Sequence, residues 1–278
     1  MSVLEAIILG IVQGLTEFLP VSSSGHLVFF QTILGLEEPM LAFDIVMHWG
    51  TLFAVFIYFW KDLVQMVVQS FAAIGATVSG KKQGDVFGDY PYALTTALVL
   101  LASVPTACIG LAFADSMESF FHRMIVVGIA WIVTGSLFAF SARYAKGNRA
   151  LAEMNHQDAL TLGIAQGIAI VPGVSRSGLT ILVGMMSGLD PAAAARFSFL
   201  MGIPAILGAG LLKLKDAADF FSNYPAALLA GFVAALLSGY VSISFLLKLI
   251  ERGKFHIFGY YCLAIGFFSI GYSFLAGA

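Results

Sequence analysis

Six stretches of this chain stay apolar long enough to cross a bilayer, and two more are apolar but interrupted. A crossing takes about 20 mostly apolar residues. Leu41–Trp60, Tyr92–Ala114, Met124–Ala142, Ala193–Leu212, Pro225–Leu247 and Ile257–Leu275 reach that length. Met1–Leu36 is cut by Pro20 and the run Ser22, Ser23, Ser24, Gly25; Gln157–Leu189 is cut by Pro172, Gly173 and the serines behind them. Proline lacks a backbone donor and glycine loosens the chain, so each cut strands polar groups that lipid cannot satisfy. Such breaks persist only within protein or against a water-filled cavity. Both regions therefore predict re-entrant helical hairpins. Asp62–Thr77 alternates apolar and polar residues and predicts a segment lying along the inner interface; Lys81–Tyr90 reads as a polar loop.

The two interrupted regions are copies of each other, 153 residues apart. Nine of the nineteen positions from Leu9 to Leu27 are identical to those from Leu162 to Thr180. The copies differ where chemistry resides. The first has Glu17, Ser23 and His26; the second has Ile170, Arg176 and Leu179 at the same places. Two repeats follow, about 1–150 and about 156–278, within a single membrane domain. Each is one hairpin plus three spans. Three is odd, so the second repeat must be inverted and the hairpin tips can meet near the midplane, as in many transporters. The fold class expected is an all-α integral membrane protein of two inverted-topology repeats, each a re-entrant hairpin with three transmembrane helices.

Charge orients this scheme. Lys61, Lys81, Lys82, Arg143, Lys146, Arg149, Lys248, Arg252 and Lys254 fall on one side; Arg123, Lys213 and Lys215 fall on the other. The richer side belongs in the cytoplasm. Both termini and the first hairpin's mouth then face outward. Arg196 is expected to snorkel to the inner surface. Val3 to Val12 is not a signal peptide on this reading, because no Lys or Arg precedes it. Composition agrees with a membrane protein. Hydrophobic residues make up 59% and charged residues 11%, against about 25% charged in soluble domains, and the mean hydropathy is +0.92. No basic run supports nucleic-acid binding. Cys108 and Cys262 lie in apolar segments and read as packing residues.

The candidate chemistry sits in the breaks. Gln13 and Glu17, four apart, share a helix face, and an acid at membrane depth is a functional candidate. Ser22, Ser23, Ser24 and His26 follow; at least one of these serines is expected to cap the next helix. In the second copy, Gly173, Ser175, Ser177 and Thr180 surround Arg176. Consecutive N–H groups at a helix start, hydroxyls and a guanidinium make a phosphate cradle. Gly173-Val174-Ser175 is not a nucleophile elbow, because position 177 is serine instead of glycine. His48 either lines the cavity or pairs with Asp44 one turn away.

These residues resemble the undecaprenyl-diphosphate phosphatase family, the bacitracin-resistance membrane phosphatases. Gln13 and Glu17 match its motif of Glu or Gln, three residues, then Glu. Pro20 through His26 match its Pro-Val-Ser-Ser-Ser/Thr-Gly-His stretch, and Pro172 through Thr180 match its PGxSRSxxT motif. The resemblance implies hydrolysis of undecaprenyl diphosphate to undecaprenyl phosphate and inorganic phosphate at the outer face of the bacterial inner membrane. That reaction recycles the lipid carrier of peptidoglycan synthesis and confers bacitracin resistance. It also implies a divalent cation, Mg2+ or Ca2+, with Glu17 and Gln13 as ligands. Glu17, Ser23, His26 and Arg176 are the catalytic candidates; Ser22, Ser24, Gly173, Ser175, Ser177 and Thr180 are the phosphate-binding ones. Ser23 is the first choice of nucleophile, with water positioned by Glu17 as its rival and His26 as acid or base. Partners expected are the polyprenyl diphosphate substrate, membrane lipid and, as an assembly state, a homodimer. A transporter or lipid flippase is the alternative from the same architecture.

Overall fold

Serine and asparagine open the two interrupted regions in the same way. The Ser2 hydroxyl accepts from the Glu5 N–H (3.2 Å) while the Glu5 carboxylate reaches back to the Ser2 N–H (2.7 Å). Asn155 and Asp158 repeat this reciprocal box. The helices they start are α1 (Val3–Phe18) and α8 (His156–Ile168), and each stops at a break. Beyond the breaks run α2 (Ser23–Ile33) and α9 (Arg176–Met186), capped by the equivalent residues Ser22 and Ser175. At 16 residues α1 is roughly 24 Å long and cannot cross alone. The computed structural model describes residues 1–36, 41–79, 86–118, 120, 123–141, 147–213 and 223–276.

The other helices are α3 (Leu41–Tyr58), α4 (Trp60–Val78), α5 (Val86–Asp89), α6 (Pro91–Glu118), α7 (Met124–Ala139), α10 (Pro191–Lys213), α11 (Pro225–Glu251) and α12 (Ile257–Ala276). Among the described residues, four helices are long and apolar enough to cross a membrane: α6, α10, α11 and α12. A fifth counts if α3 and α4 form one bent span. Large apolar side chains such as Leu111, Leu229, Phe268 and Leu275 lie exposed, as lipid requires. The chain is a multi-pass helical membrane protein.

Two of the six expected spans are shorter than the apolar runs suggested. Helix α7 has 16 residues. Helix α3 ends at Tyr58, and the chain bends by 75° into α4. Helix α4 exposes Val64, Val67, Val68, Phe71, Ile74 and Val78 at helical spacing and buries Asp62, Met66 and Ala73. That stripe suits a helix in the interfacial plane. Residues 81–85 of the expected polar loop lie outside the described residues, as do Lys81, Lys82, Arg143, Lys146 and Lys215. Arg196 keeps 37% of its side chain exposed and is also paired. Its Nε donates to Asp62 Oδ2 (3.0 Å), its Nη2 bonds Asp62 Oδ1, and Tyr92 joins them. A buried carboxylate at the α3–α4 bend holds the partly exposed guanidinium. Arg149, expected only to orient the chain, ties Asp158 at the start of α8 (2.7 Å) to the Ser187 carbonyl after α9 (2.9 Å).

Small residues set the helix directions. A Cβ on Gly10 would meet Gly231 and one on Gly14 would meet Ala235, so α1 runs parallel to α11. Thr106 of α6 donates to the Gly163 carbonyl (2.9 Å) while Gly167 faces Ile109, so α8 runs parallel to α6. Each repeat thus rests its first hairpin helix on a span of the other. Gly128 faces Gly266 and Gly135 faces Gly259, so α7 and α12 are antiparallel. Phe59 packs on Phe199 (6.0 Å between rings) while Trp49 lies at Gly210, so α3 and α10 are antiparallel too. Glycine lets the backbones approach this closely. A Cβ at Gly135 would sit 2.8 Å from the Gly259 carbonyl oxygen. Gly135→Val therefore destabilises the protein by about 1–3 kcal/mol through overpacking, read as a lower melting temperature in detergent. An unchanged melting temperature would mean the pair can separate freely. The buried core between the helices includes Phe18, Phe199, Phe138 and Trp131.

Candidate active site

The first break is satisfied by its own backbone and by side chains from elsewhere in the fold and from the next turn. Successive carbonyls from 19 to 22 would be orphans in lipid. Leu19 O accepts from Val21 N–H (2.7 Å) and, more weakly, from the Ser177 hydroxyl (3.4 Å). Pro20 O faces Cys262 Sγ (3.5 Å) and Val21 O accepts from Trp131 Nε1 (2.7 Å). Ser22 O bonds His26 Nδ1 (2.7 Å). The second break folds tightly against α7. Gly173 has φ +92, and a Cβ there would lie 2.6 Å from the Val127 carbonyl oxygen, so only glycine fits.

The breaks meet at one carboxylate. Glu17 Oε2 accepts from the Ser23 hydroxyl (2.6 Å) and from Gln13 Nε2 (3.0 Å). Arg176 Nη2 donates to Glu17 Oε1 at 2.5 Å. Ser23 and Arg176 are both the first residue of their helices, at equivalent positions of the two repeats. The duplicated scaffold therefore brings a hydroxyl and a guanidinium onto opposite oxygens of one buried acid. The starts of α2 and α9, with their partial positive charge, flank the same place.

The remaining candidates are placed as follows. Ser22 and Ser175 are helix caps, accepting from Gly25 N–H (3.3 Å) and Gly178 N–H (3.1 Å). Ser24 pairs with Ser22 and Ser177 with Ser175, both at 3.3 Å. Thr180 is fully buried and bonds Ser198 (2.6 Å). His26 is buried between Trp131 and Tyr261; its ring bonds neither Ser23 nor Glu17.

Comparison with known proteins agrees with the motifs. The sequence matches the family described as bacitracin resistance protein BacA over residues 6–268. An undecaprenyl-diphosphatase of Methanosphaera stadtmanae is 41% identical over 274 residues, covering 97% of this chain and 98% of the relative. Proteins of the same name from Methanobrevibacter smithii (42%, 96% of each chain) and Desulforapulum autotrophicum (38%, 99% of this chain and 100% of the relative) are similar throughout. This chain belongs to the BacA family.

Three residues at this BacA-family site had little or no signal in the sequence. His48 turns its Nδ1 to the Asp44 carbonyl (2.7 Å) and its Nε2 toward Glu17 Oε2 (3.6 Å). It faces Glu17 while bonding the Asp44 backbone, and the Asp44 side chain accepts from Gln31 (2.8 Å). Trp131 and Tyr261 come from α7 and α12. Nothing local distinguishes them from the other aromatics of apolar spans.

Proposed function

We propose that this chain removes the terminal phosphate of undecaprenyl diphosphate, releasing undecaprenyl phosphate and inorganic phosphate. The observation that carries this is Glu17 held between Ser23 and Arg176 inside an apolar bundle. A hydroxyl at 2.6 Å from a carboxylate is poised to lose its proton as it attacks. Ser23 Oγ attacks the terminal phosphorus, the bridging P–O bond breaks, and undecaprenyl phosphate leaves with the electron pair. Glu17 takes the Ser23 proton. Arg176 swings from Glu17 Oε1 onto the phosphoryl oxygens and, with the N–H groups at the starts of α2 and α9, holds their charge in the transition state. Glu17 gives that proton to the departing undecaprenyl phosphate; water then attacks the phosphoserine with the ionised Glu17 as base, the P–O bond to Ser23 breaks, and Glu17 returns the water's proton to Ser23 Oγ as inorganic phosphate leaves.

The family implies a divalent cation, and two oxygens here suit Mg2+ or Ca2+. Gln13 Oε1 is buried without a hydrogen-bond partner, beside the Glu17 carboxylate. Among the described residues no group of three or more His, Cys, Asp or Glu could hold a metal ion alone. Water and substrate oxygens would complete the shell, as is usual for Mg2+. Such an ion would neutralise diphosphate charge.

We also read the two repeats as inverted, with re-entrant hairpins entering from opposite faces and the site open to the outer face. Supporting the inversion, the equivalent pairs α3 with α10 and α7 with α12 run antiparallel. Supporting the first hairpin, α3 runs in the same sense as α1, both being parallel to α11. The charge bias supports the orientation.

The test is phosphate release from detergent-purified protein supplied with undecaprenyl diphosphate and Mg2+ or Ca2+. Quenched turnover should yield phosphoserine at Ser23, and Ser23→Ala should lose activity. No release with either ion would overturn the enzyme reading. Full activity in Ser23→Ala would overturn the covalent route in favour of direct attack by water.

A further inference from the structure

Ser22 is the only non-glycine residue with positive φ among the described residues (φ 69, ψ 99). Its equivalent Ser175 performs the same capping duty with an ordinary backbone (φ −78, ψ 114). A serine in this region is strained and persists only where its surroundings hold it. Among the sequence differences that accompany the strain, beside Pro20 for Gly173 and Ser23 for Arg176, is His26, replaced by Leu179 in the relaxed copy.

His26 grips the strained peptide. Its Nδ1 lies 2.7 Å from the Ser22 carbonyl oxygen, an obligate acceptor, so Nδ1 carries the proton. Its Nε2 then accepts from the Tyr261 hydroxyl (2.8 Å). The ring is 2% exposed; it stacks on Tyr261 (5.7 Å, 8° between planes) and meets Trp131 edge-on (5.1 Å). Trp131 in turn holds the Val21 carbonyl. Both imidazole nitrogens are engaged, and neither faces Ser23.

We propose that His26 is a positioning residue: braced by Tyr261 and Trp131, it fixes the Ser22–Ser23 peptide plane and so aims Ser23 Oγ at Glu17. The Ser22 carbonyl belongs to the same rigid plane as the Ser23 N–H. Turning that carbonyl moves the start of α2 and carries the Ser23 hydroxyl off the carboxylate. The second repeat has no nucleophile to aim, and there the brace and the strain are both missing. This role rests on the reading of Glu17, Ser23 and Arg176 as the reaction centre.

Side-chain amides separate the two nitrogens. Asparagine places an N–H donor where Nδ1 was, glutamine where Nε2 was, and neither can act as a base. His26→Ala should lower kcat by about 100-fold, the cost of misplacing a reacting group by about an ångström, with KM for undecaprenyl diphosphate little changed. His26→Asn should keep kcat within about tenfold of wild type and His26→Gln should resemble alanine, if a strut hydrogen bond is what matters. Adding Ser22→Gly to His26→Ala should restore at least about tenfold, because glycine adopts this φ without strain. Tyr261→Phe should cost less than about fivefold, one neutral hydrogen bond. His26→Asn as inactive as His26→Ala would overturn the proposal in favour of proton transfer at Nε2, and His26→Gln more active than His26→Asn would overturn it in favour of a hydrogen bond made at Nε2. Should His26→Ala not purify as a single species, the Asn–Gln comparison still decides. Failure of the reaction centre itself shows separately, as full activity in Ser23→Ala.

Discussion

Arg176→Ala lowers the turnover of undecaprenyl diphosphate by about 10²–10³, the usual loss when a preorganised electrostatic donor is removed from a water-poor site. Arg176 contributes the guanidinium that pairs with Glu17, and its own helix start cannot replace that charge. The substrate brings several negative charges to a place where Glu17 already adds one. Lysine rescues poorly, because a point charge cannot hold two oxygens in one plane. The alanine protein still purifies, since Glu17 keeps its hydrogen bonds from Ser23 and Gln13. Phosphate release per mole of purified protein is the measurement. Near wild-type turnover would mean that Arg176 only neutralises Glu17 in the resting protein.

Glu17→Gln lowers kcat by about 10²–10⁴, the range for a lost general base, without raising KM. Glutamine has the same shape and can still accept from Ser23, but it cannot take the proton. It also frees Arg176 from its carboxylate partner, so the anionic substrate meets a less neutralised cation and binds at least as well. A kcat effect without a KM penalty marks an interaction made in the transition state. Steady-state kinetics over a range of undecaprenyl diphosphate concentrations reads both. A raised KM with unchanged kcat would reduce Glu17 to a binding residue.

The candidate site was legible because duplication supplied an internal alignment. Nine identities over nineteen positions located both breaks, and the differences pointed at Glu17, Ser23 and Arg176. Ser23 and Arg176 occupy equivalent positions of the sequence repeat, and both reach Glu17. His26 read as an acid or base; proximity in sequence does not say which way a ring faces, and its ring bonds the Ser22 carbonyl and Tyr261. Its partners Trp131 and Tyr261 are over 100 residues away. Thr180 looked like a phosphate donor, yet its hydroxyl is committed to Ser198 on α10. Arg196 read only as a snorkelling residue because its partner Asp62 lies 134 residues earlier. Helix α7 looked longer because apolar composition fixes where a helix can lie in lipid, not where it ends.

The crossed packing of α1 on α11 and α8 on α6 bears on how such a chain could arise. Neither half can complete its own interior, so half a gene product has nothing to fold against except another half. Before the halves were joined, two identical chains would have had to interlock, and identical chains carry identical residues. A serine on one side and an arginine on the other could be inherited separately only after the half was duplicated. The division of labour at Glu17 is then younger than the architecture that holds it, and a pair of separately expressed halves should recover the site only when both are made together.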